Sequence, residues 1–390
     1  AKGMRKIHLW QIAYTIGLTI VLSVFTLEGL GFHHFPTIEF DVIPYLDLIG
    51  GIMLIAGSCE AFVLAVEGIA QNMNMTDYVS GIYASLAATI PELSVLAFLI
   101  LNKEFELAWV LALSTIFVNS IVFATYSLFL PKDETGNFKL PDAIMWVGSD
   151  LLTVGAVISL TVGISMLLLQ VFVAPILPGQ VMYFTFDELL VFGGALICVF
   201  IAYLYNITKY YGKCDPKSEK PGIACKVHDP IPKQTVVIFL VMASAGALLG
   251  GEAVAQFAGF AQVGLGLNFI QAALLLVVFS GLPEYIIVVS SHRKDQIDIA
   301  LSNAFGGIVQ VFFVVFGFTL IASGLALGAI PIDLYSVVLV IFTFPTLFIL
   351  RTKITDDAKI NNLEAIAMIA VFVMMLYILL AFGTQTIVAP

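Results

Sequence analysis

The sequence predicts an all-α, polytopic membrane protein of about eleven transmembrane helices, and three observations carry that expectation. Of 390 residues, 60% are hydrophobic and only 11% charged, whereas a soluble domain carries about a quarter charged residues. The apolar residues come in successive stretches of about 20, the length needed to cross a bilayer core, with short polar breaks between them. Lys and Arg are distributed one-sidedly over those breaks. A β-barrel would show alternating segments of about ten residues, but Trp109 to Leu130 and Leu363 to Phe382 are continuously apolar.

The candidate spans run roughly 7–29, 45–71, 77–102, 105–130, 142–173, 187–212, 233–258, 265–291, 296–322, 334–350 and 361–383. The first follows Lys2, Arg5 and Lys6 but is long and lacks a small-x-small cleavage site, so it reads as a retained helix rather than a secretory signal. Met4 after Ala1, Lys2 and Gly3 marks those three residues as an expected cloning remnant. With the N-terminus in the cytoplasm, sixteen of the seventeen Lys and Arg residues fall on the cytoplasmic side and only Lys103 outside, as the positive-inside rule asks. The C-terminus is then extracytoplasmic, and in a prokaryote the host bilayer is the cell membrane. Cys59 and Cys198 lie within spans, while Cys214 and Cys225 sit in a loop expected to be cytoplasmic, where thiols stay reduced. No structural disulfide is expected, and Cys214, Cys225 and His228 match no standard zinc motif.

Setting the first helix aside, the other ten divide into two groups of five at a Lys-rich loop. Five is odd, so the halves have opposite orientation. The expected organisation is an extra N-terminal helix with its loop (1–44), a first repeat (45–212, core 77–130), a cytoplasmic linker (213–232) and a second repeat (233–390, core 265–322). Gly57-Ser58-Cys59-Glu60-Ala61 recurs as Gly250-Gly251-Glu252-Ala253, and Thr89-Ile90-Pro91-Glu92 as Gly281-Leu282-Pro283-Glu284. Glu60 precedes Glu92 by 32 residues, as Glu252 precedes Glu284. Inverted repeats with matching interrupted helices mark the central site of a secondary transporter.

The chemistry follows from the Pro-Glu pairs. A proline inside a helix lacks an N–H and its ring clashes with the carbonyl one turn earlier, so Pro91 frees the carbonyl of Ala87 and Pro283 that of Phe279. Unpaired carbonyls at membrane depth are tolerated only when buried in protein or lining a cavity, and a glutamate follows each. A Ca2+ ion takes 6 to 8 oxygens from carboxylates, carbonyls and waters, and two carboxylates match its charge. One such pair would read as an ordinary kink. Two in symmetric positions, with no basic partner nearby in the chain, read as a site, because an unpaired charge there is costly.

At these residues the sequence resembles the cation/calcium antiporter superfamily, whose two α-repeats carry T-S-L-P-E in Na+/Ca2+ exchangers and G-N-A-x-E in H+/Ca2+ exchangers. The resemblance covers about residues 45–383 and is strongest over Leu54 to Phe123 and Leu248 to Val315; the first helix resembles the extra helix of many H+/Ca2+ exchangers. It implies a bundle in which the two Glu-bearing helices and their successors hold the ion while the helices of Glu60 and Glu252 slide, their Gly50, Gly51, Gly57, Gly246, Gly250 and Gly251 suiting close contact. The implied cation ligands are Glu92, Glu284, Ala88, Thr89, Thr115, Asn119, Ser280 and Gln310. Na+/Ca2+ exchangers carry an acidic residue 27 positions after the second glutamate; this chain has Val311. The run Ala304 to Gln310 resembles A-I-G-S-S-I-Q of H+/Ca2+ exchangers, which favours H+ over Na+ as counter-ion. The first repeat departs from G-N and G-S-N, with Ser114-Thr115 and Val118-Asn119-Ser120 instead, leaving Mg2+ or Mn2+ open as cargo.

Two carboxylates sharing a dry site repel each other and are each penalised by desolvation, so an empty site takes up protons and Ca2+ competes with them. Glu60, Glu252 and Asp150 are candidates for a proton path or gate, Glu67 a further intramembrane acid, and Asp77, Asp187, Asp298 and Glu364 lie at span ends. Enzymatic readings fail on residue types. The five histidines sit at helix ends or in loops with no H-E-x-x-H motif, no lysine lies deep in a span, and no ATP-binding motif is present. The expectation is a gradient-driven transporter, not an enzyme, whose partners are the bilayer, Ca2+ and a counter-ion (H+ or Na+), with no cofactor and no nucleic acid. The alternatives are a Na+/Ca2+ exchanger of the same superfamily and, after it, a cation channel.

Overall fold

The computed structural model describes residues 8–29, 42–173, 182–213 and 231–385; most of the expected linker, with Cys214, Cys225 and His228, lies outside them. Among the described residues, eleven helical segments are long and apolar enough to cross a membrane. The chain runs α1 (Leu9–Gly29), α2 (Ile43–Asn72), α3 (Asp77–Ala88), α4 (Ile90–Leu101), α5 (Phe105–Ser127), α6 (Ser149–Leu168), α7 (Phe186–Tyr211), α8 (Lys233–Val263), α9 (Phe269–Ser280), α10 (Leu282–Arg293), α11 (Ile297–Gln310), α12 (Gly317–Leu327), α13 (Leu334–Asp356) and α14 (Asn362–Gln385). The pairs α3–α4, α9–α10 and α11–α12 each form one span, the last interrupted by a π-helical turn, Val311–Phe316.

An offset of 192 residues, which carries Glu92 onto Glu284, also superimposes the local devices that build the helices. Thr76 and Asn268 are equivalent, and each caps its helix by accepting from a backbone N–H three residues on, Val79 at 3.4 Å and Gln271 at 2.8 Å, satisfying a donor that the first turn otherwise orphans. Lys103 and Asp295 are equivalent too. Each leaves the end of α4 or α10 at positive φ, 68° and 57°, the left-handed exit that releases a helix into the next span.

The helix packing obeys the same symmetry. Helix α2 packs on its counterpart α8, α6 on α13, α3 on α11 as α9 does on α5, and α7 on α12 as α14 does on α5. Two short antiparallel ribbons complete it. At one end β1 (Asn137–Lys139) pairs with β4 (Lys359–Asn361), and at the other β2 (Tyr183–Thr185) pairs with β3 (Ala329–Pro331). Each ribbon joins one repeat to the other. The β1–β4 end also carries Lys132, Lys209, Arg293, Lys294 and Lys353 and is here called the basic end. There Glu364 pairs with Lys353 at 3.3 Å and accepts from the Asn361 N–H at 3.2 Å.

The expected glycine contacts divide in two. Gly51 and Gly250 face each other across the α2–α8 crossing, but Gly50 and Gly57 pack against Ile20 and Tyr14 of α1, so those two serve the extra helix rather than a sliding seam. Helix α1 reaches both long helices, since the Tyr14 hydroxyl donates to the Met242 carbonyl of α8 at 2.8 Å. Gly251 instead meets α4, where a Cβ would lie 2.7 Å from Ser94 Cβ and 3.0 Å from the Val95 nitrogen. In a membrane, such close approach supplies the packing that hydrophobicity cannot. Gly251→Leu should therefore cost about 1–3 kcal/mol by overpacking and lower the thermal midpoint in detergent. Gly259→Leu, with open space around its position, should leave the midpoint unchanged or raise it.

Candidate cation site

The two Pro-Glu segments break their helices in the same way. Helices α3, α4, α9 and α10 are each 12 residues long, and the hinge residues take nearly one conformation, Thr89 at φ −79°, ψ −14° and Gly281 at φ −79°, ψ −11°. The expected kink is thus a full interruption. Proline suits the first turn of a helix, where its missing N–H costs nothing, so the chain restarts at Ile90 and Leu282 with the proline second. Glu92 and Glu284 then fall in the first turn of α4 and α10, where the helix dipole favours a carboxylate. The ends of α3 and α9 point carbonyls toward the same level, which favours a cation.

Both glutamates are buried, at 2% and 5% exposure, and each accepts from a neutral side-chain donor. The Thr115 hydroxyl donates to Glu92 Oε1 at 3.0 Å. Asn119 Nδ2 donates to Glu284 Oε2 at 2.9 Å, crossing from the first repeat to the second. Asn303 Nδ2 donates to the Glu284 backbone carbonyl at 3.0 Å. These bonds orient both amides and leave Glu284 Oε1, Asn119 Oδ1 and Asn303 Oδ1 buried with no partner. All three residues line one cavity of about 10 Å3 together with Tyr285, room for a single water-sized species.

Of the other predicted ligands, Thr89 and Ser280 are buried at the two hinges, their hydroxyls donating within their own turns to Leu86 O at 2.7 Å and Val277 O at 3.4 Å. Ala88, also buried, ends α3. Gln310 is fully buried and tied to α3, donating to Ile82 O at 3.1 Å and accepting from Ser85 Oγ at 2.9 Å, which leaves one lone pair on its oxygen. Val311 is buried. Glu60 and Glu252 are partly buried on α2 and α8, and Cys59, next to Glu60, packs in one cluster with Ile287 of α10. Asp150, a candidate for the proton path or gate, is exposed on α6 just after the Ile144–Gly148 π-helical turn, on the outside of the bundle and not beside the glutamate pair. Among the described residues, no group of three or more His, Cys, Asp or Glu gathers anywhere, so neutral oxygens must complete any cation shell here.

Sequence reasoning missed Asn303, Ser85 and Gly307. Asn303 carried a usable signal, since asparagine is a poor resident of an apolar helix interior. Gly307 is visible only in three dimensions. A Cβ there would sit 2.9 Å from Glu284 Oε2 and 3.0 Å from Asn119 Nδ2.

The two sides of the site differ. Helix α4 lies tight on α8 through Gly251, whereas the symmetric pair, α10 and α2, touches over a shorter stretch, where Cys59 and Ile287 share a small cluster. Ile286 and Val289 of α10 are 42% and 51% exposed. They line a groove of about 480 Å3 that runs from Tyr285 to Arg293 and Lys294 at the basic end.

Two symmetry-related sets of helices around paired, interrupted Pro-Glu helices are the arrangement that the resemblance in the sequence implies. Residues 234–381 match the family model for sodium/calcium exchanger protein. Among solved structures, the chain is similar to the H+/Ca2+ exchanger CAX (TM-score 0.69, 14% identity, covering 96% of this chain and 91% of that one). It is also similar to YfkE (0.60, 15%, 93% and 99%) and to the sodium-calcium exchanger NCX_Mj (0.54, 16%, 85% and 96%). A sequence search of curated proteins finds no match.

Proposed function

We propose that the protein is a secondary antiporter that exchanges Ca2+, or a similar divalent cation, for H+ by alternating access. The observation that carries this reading is the cluster of unpartnered buried oxygens of Glu284, Asn119 and Asn303 around one ion-sized cavity. Buried polar atoms are almost always hydrogen-bonded, and three acceptors left without donors ask for a cation or for protons. Glu92, with Thr115 on one oxygen, supplies the second negative charge that a divalent ion requires. When Ca2+ leaves, protons neutralise the pair, so the two cargoes compete for the same oxygens.

The counter-ion follows from the asymmetry of the repeats. Asn119 faces Glu284, but its symmetric counterpart is the buried, apolar Val311, which offers Na+ no ligand. The groove along α10 is the access path, with Tyr285 between it and the cavity, and the tight α4–α8 contact closes the other side. The basic end is cytoplasmic by the charge rule, so this conformation faces the cytoplasm.

Radiolabelled Ca2+ uptake into proteoliposomes tests the proposal. An imposed pH gradient should drive Ca2+ above its equilibrium level with no sodium present. Uptake driven only by a Na+ gradient would make the protein the sodium-coupled exchanger that its family match also suggests, and flux that never exceeds equilibrium would make it a channel.

A further inference from the structure

A second cavity, of about 260 Å3, lies in the half of the bundle away from the basic end. Trp109, Phe312 and Phe316 form its floor, and α6 and α7 its sides. Its only hydroxyls are already satisfied within α6, Ser159 donating to Ala156 O at 2.9 Å and Thr161 to Val157 O at 2.8 Å. It therefore offers water and ions nothing. A cavity of about 150 Å3 with comparable apolar walls stays dry and takes up hydrocarbon.

The cavity has a mouth. Helix α6 packs on α13, and α7 packs on α12 and the Val311–Phe316 turn, not on α6. The gap between them is edged by Val157, Thr161 and Ala195, all exposed. In a membrane-spanning bundle, the medium outside that gap is hydrocarbon.

We infer that this cavity is a lipid site that takes the acyl chain of a membrane lipid through the α6–α7 gap. The site matters to transport because Phe312 and Phe316 belong to the π-helical turn that begins directly after Gln310. The chain thus braces the helix that positions Asn303 and Gly307.

Tryptophan fluorescence in vesicles of phosphatidylcholine with brominated acyl chains reads the occupant directly, whatever ion the protein carries. The chain has three tryptophans, so Trp10→Phe/Trp146→Phe isolates Trp109 and Trp10→Phe/Trp109→Phe isolates Trp146. Trp109, at 4% exposure, should be quenched at least as deeply as Trp146, at 63%. Ala195→Phe or Thr161→Phe, each closing the mouth, should relieve the quenching of Trp109 and leave that of Trp146 unchanged. Trp109 emission that ignores the brominated chains, or quenching that persists in both mouth variants, would overturn the assignment.

Discussion

Glu284→Gln should abolish Ca2+ transport while leaving a folded protein. The substitution preserves volume and the bond from Asn119, but it removes a charge and turns an amide donor toward the unpartnered oxygens of Asn119 and Asn303. Losing a charged partner in a buried site costs at least about 3 kcal/mol, or roughly 100-fold in affinity. The apo fold gains at the same time, because an uncompensated buried carboxylate disappears. The expected pair of readings is therefore no uptake in proteoliposomes with a thermal midpoint equal to or above the parent's. Glu92→Gln should behave alike, since Thr115 can donate to an amide oxygen as readily. Wild-type uptake in either variant would remove the glutamates from the site. In the parent protein, Ca2+ affinity should fall as pH falls, because the carboxylates must be deprotonated to bind; in Glu284→Gln one of the two titrating groups is gone, and the residual dependence should be shallower.

Gly307→Val is expected to have a comparable effect by a steric route. Its Cβ would need the space now held by Glu284 Oε2 and Asn119 Nδ2, at 2.9 and 3.0 Å, with two methyl groups beyond. Neither neighbour can yield without breaking the cross-repeat bond, so the cavity closes. Overpacking of this kind costs about 1–3 kcal/mol, which a bundle of this size survives. Isothermal titration of purified protein with Ca2+ should show binding lost in Gly307→Val. Parent-like affinity would mean that the ion sits away from this helix.

Much of this was legible along the chain. Spans declare themselves because each must satisfy its own backbone in lipid, and the paired Pro-Glu segments are local events whose consequence, a restarted helix with its glutamate in the first turn, follows from proline chemistry. The partners were less legible. Asn119 bonds Glu284 of the other repeat and not Glu92 of its own, and Gln310 is engaged by Ser85 on α3; both pairings depend on how repeats cross in space, which spacing along one repeat does not encode. Gly50 and Gly57 look like Gly51 in sequence but face α1, because a helix with small residues on two sides does not announce which neighbour takes which side.

The two strand ribbons have a bearing on where such a chain comes from. Each pairs the connection before the fourth helix of one half with the connection after the fourth helix of the other, so the symmetry that carries β1 onto β3 and β2 onto β4 exchanges the two ribbons. A single half-length ancestor inserted in both orientations would form the same two ribbons between its copies, one on each face of the bilayer. The ribbons are thus the contacts that two oppositely inserted copies of one half would make with each other at both surfaces.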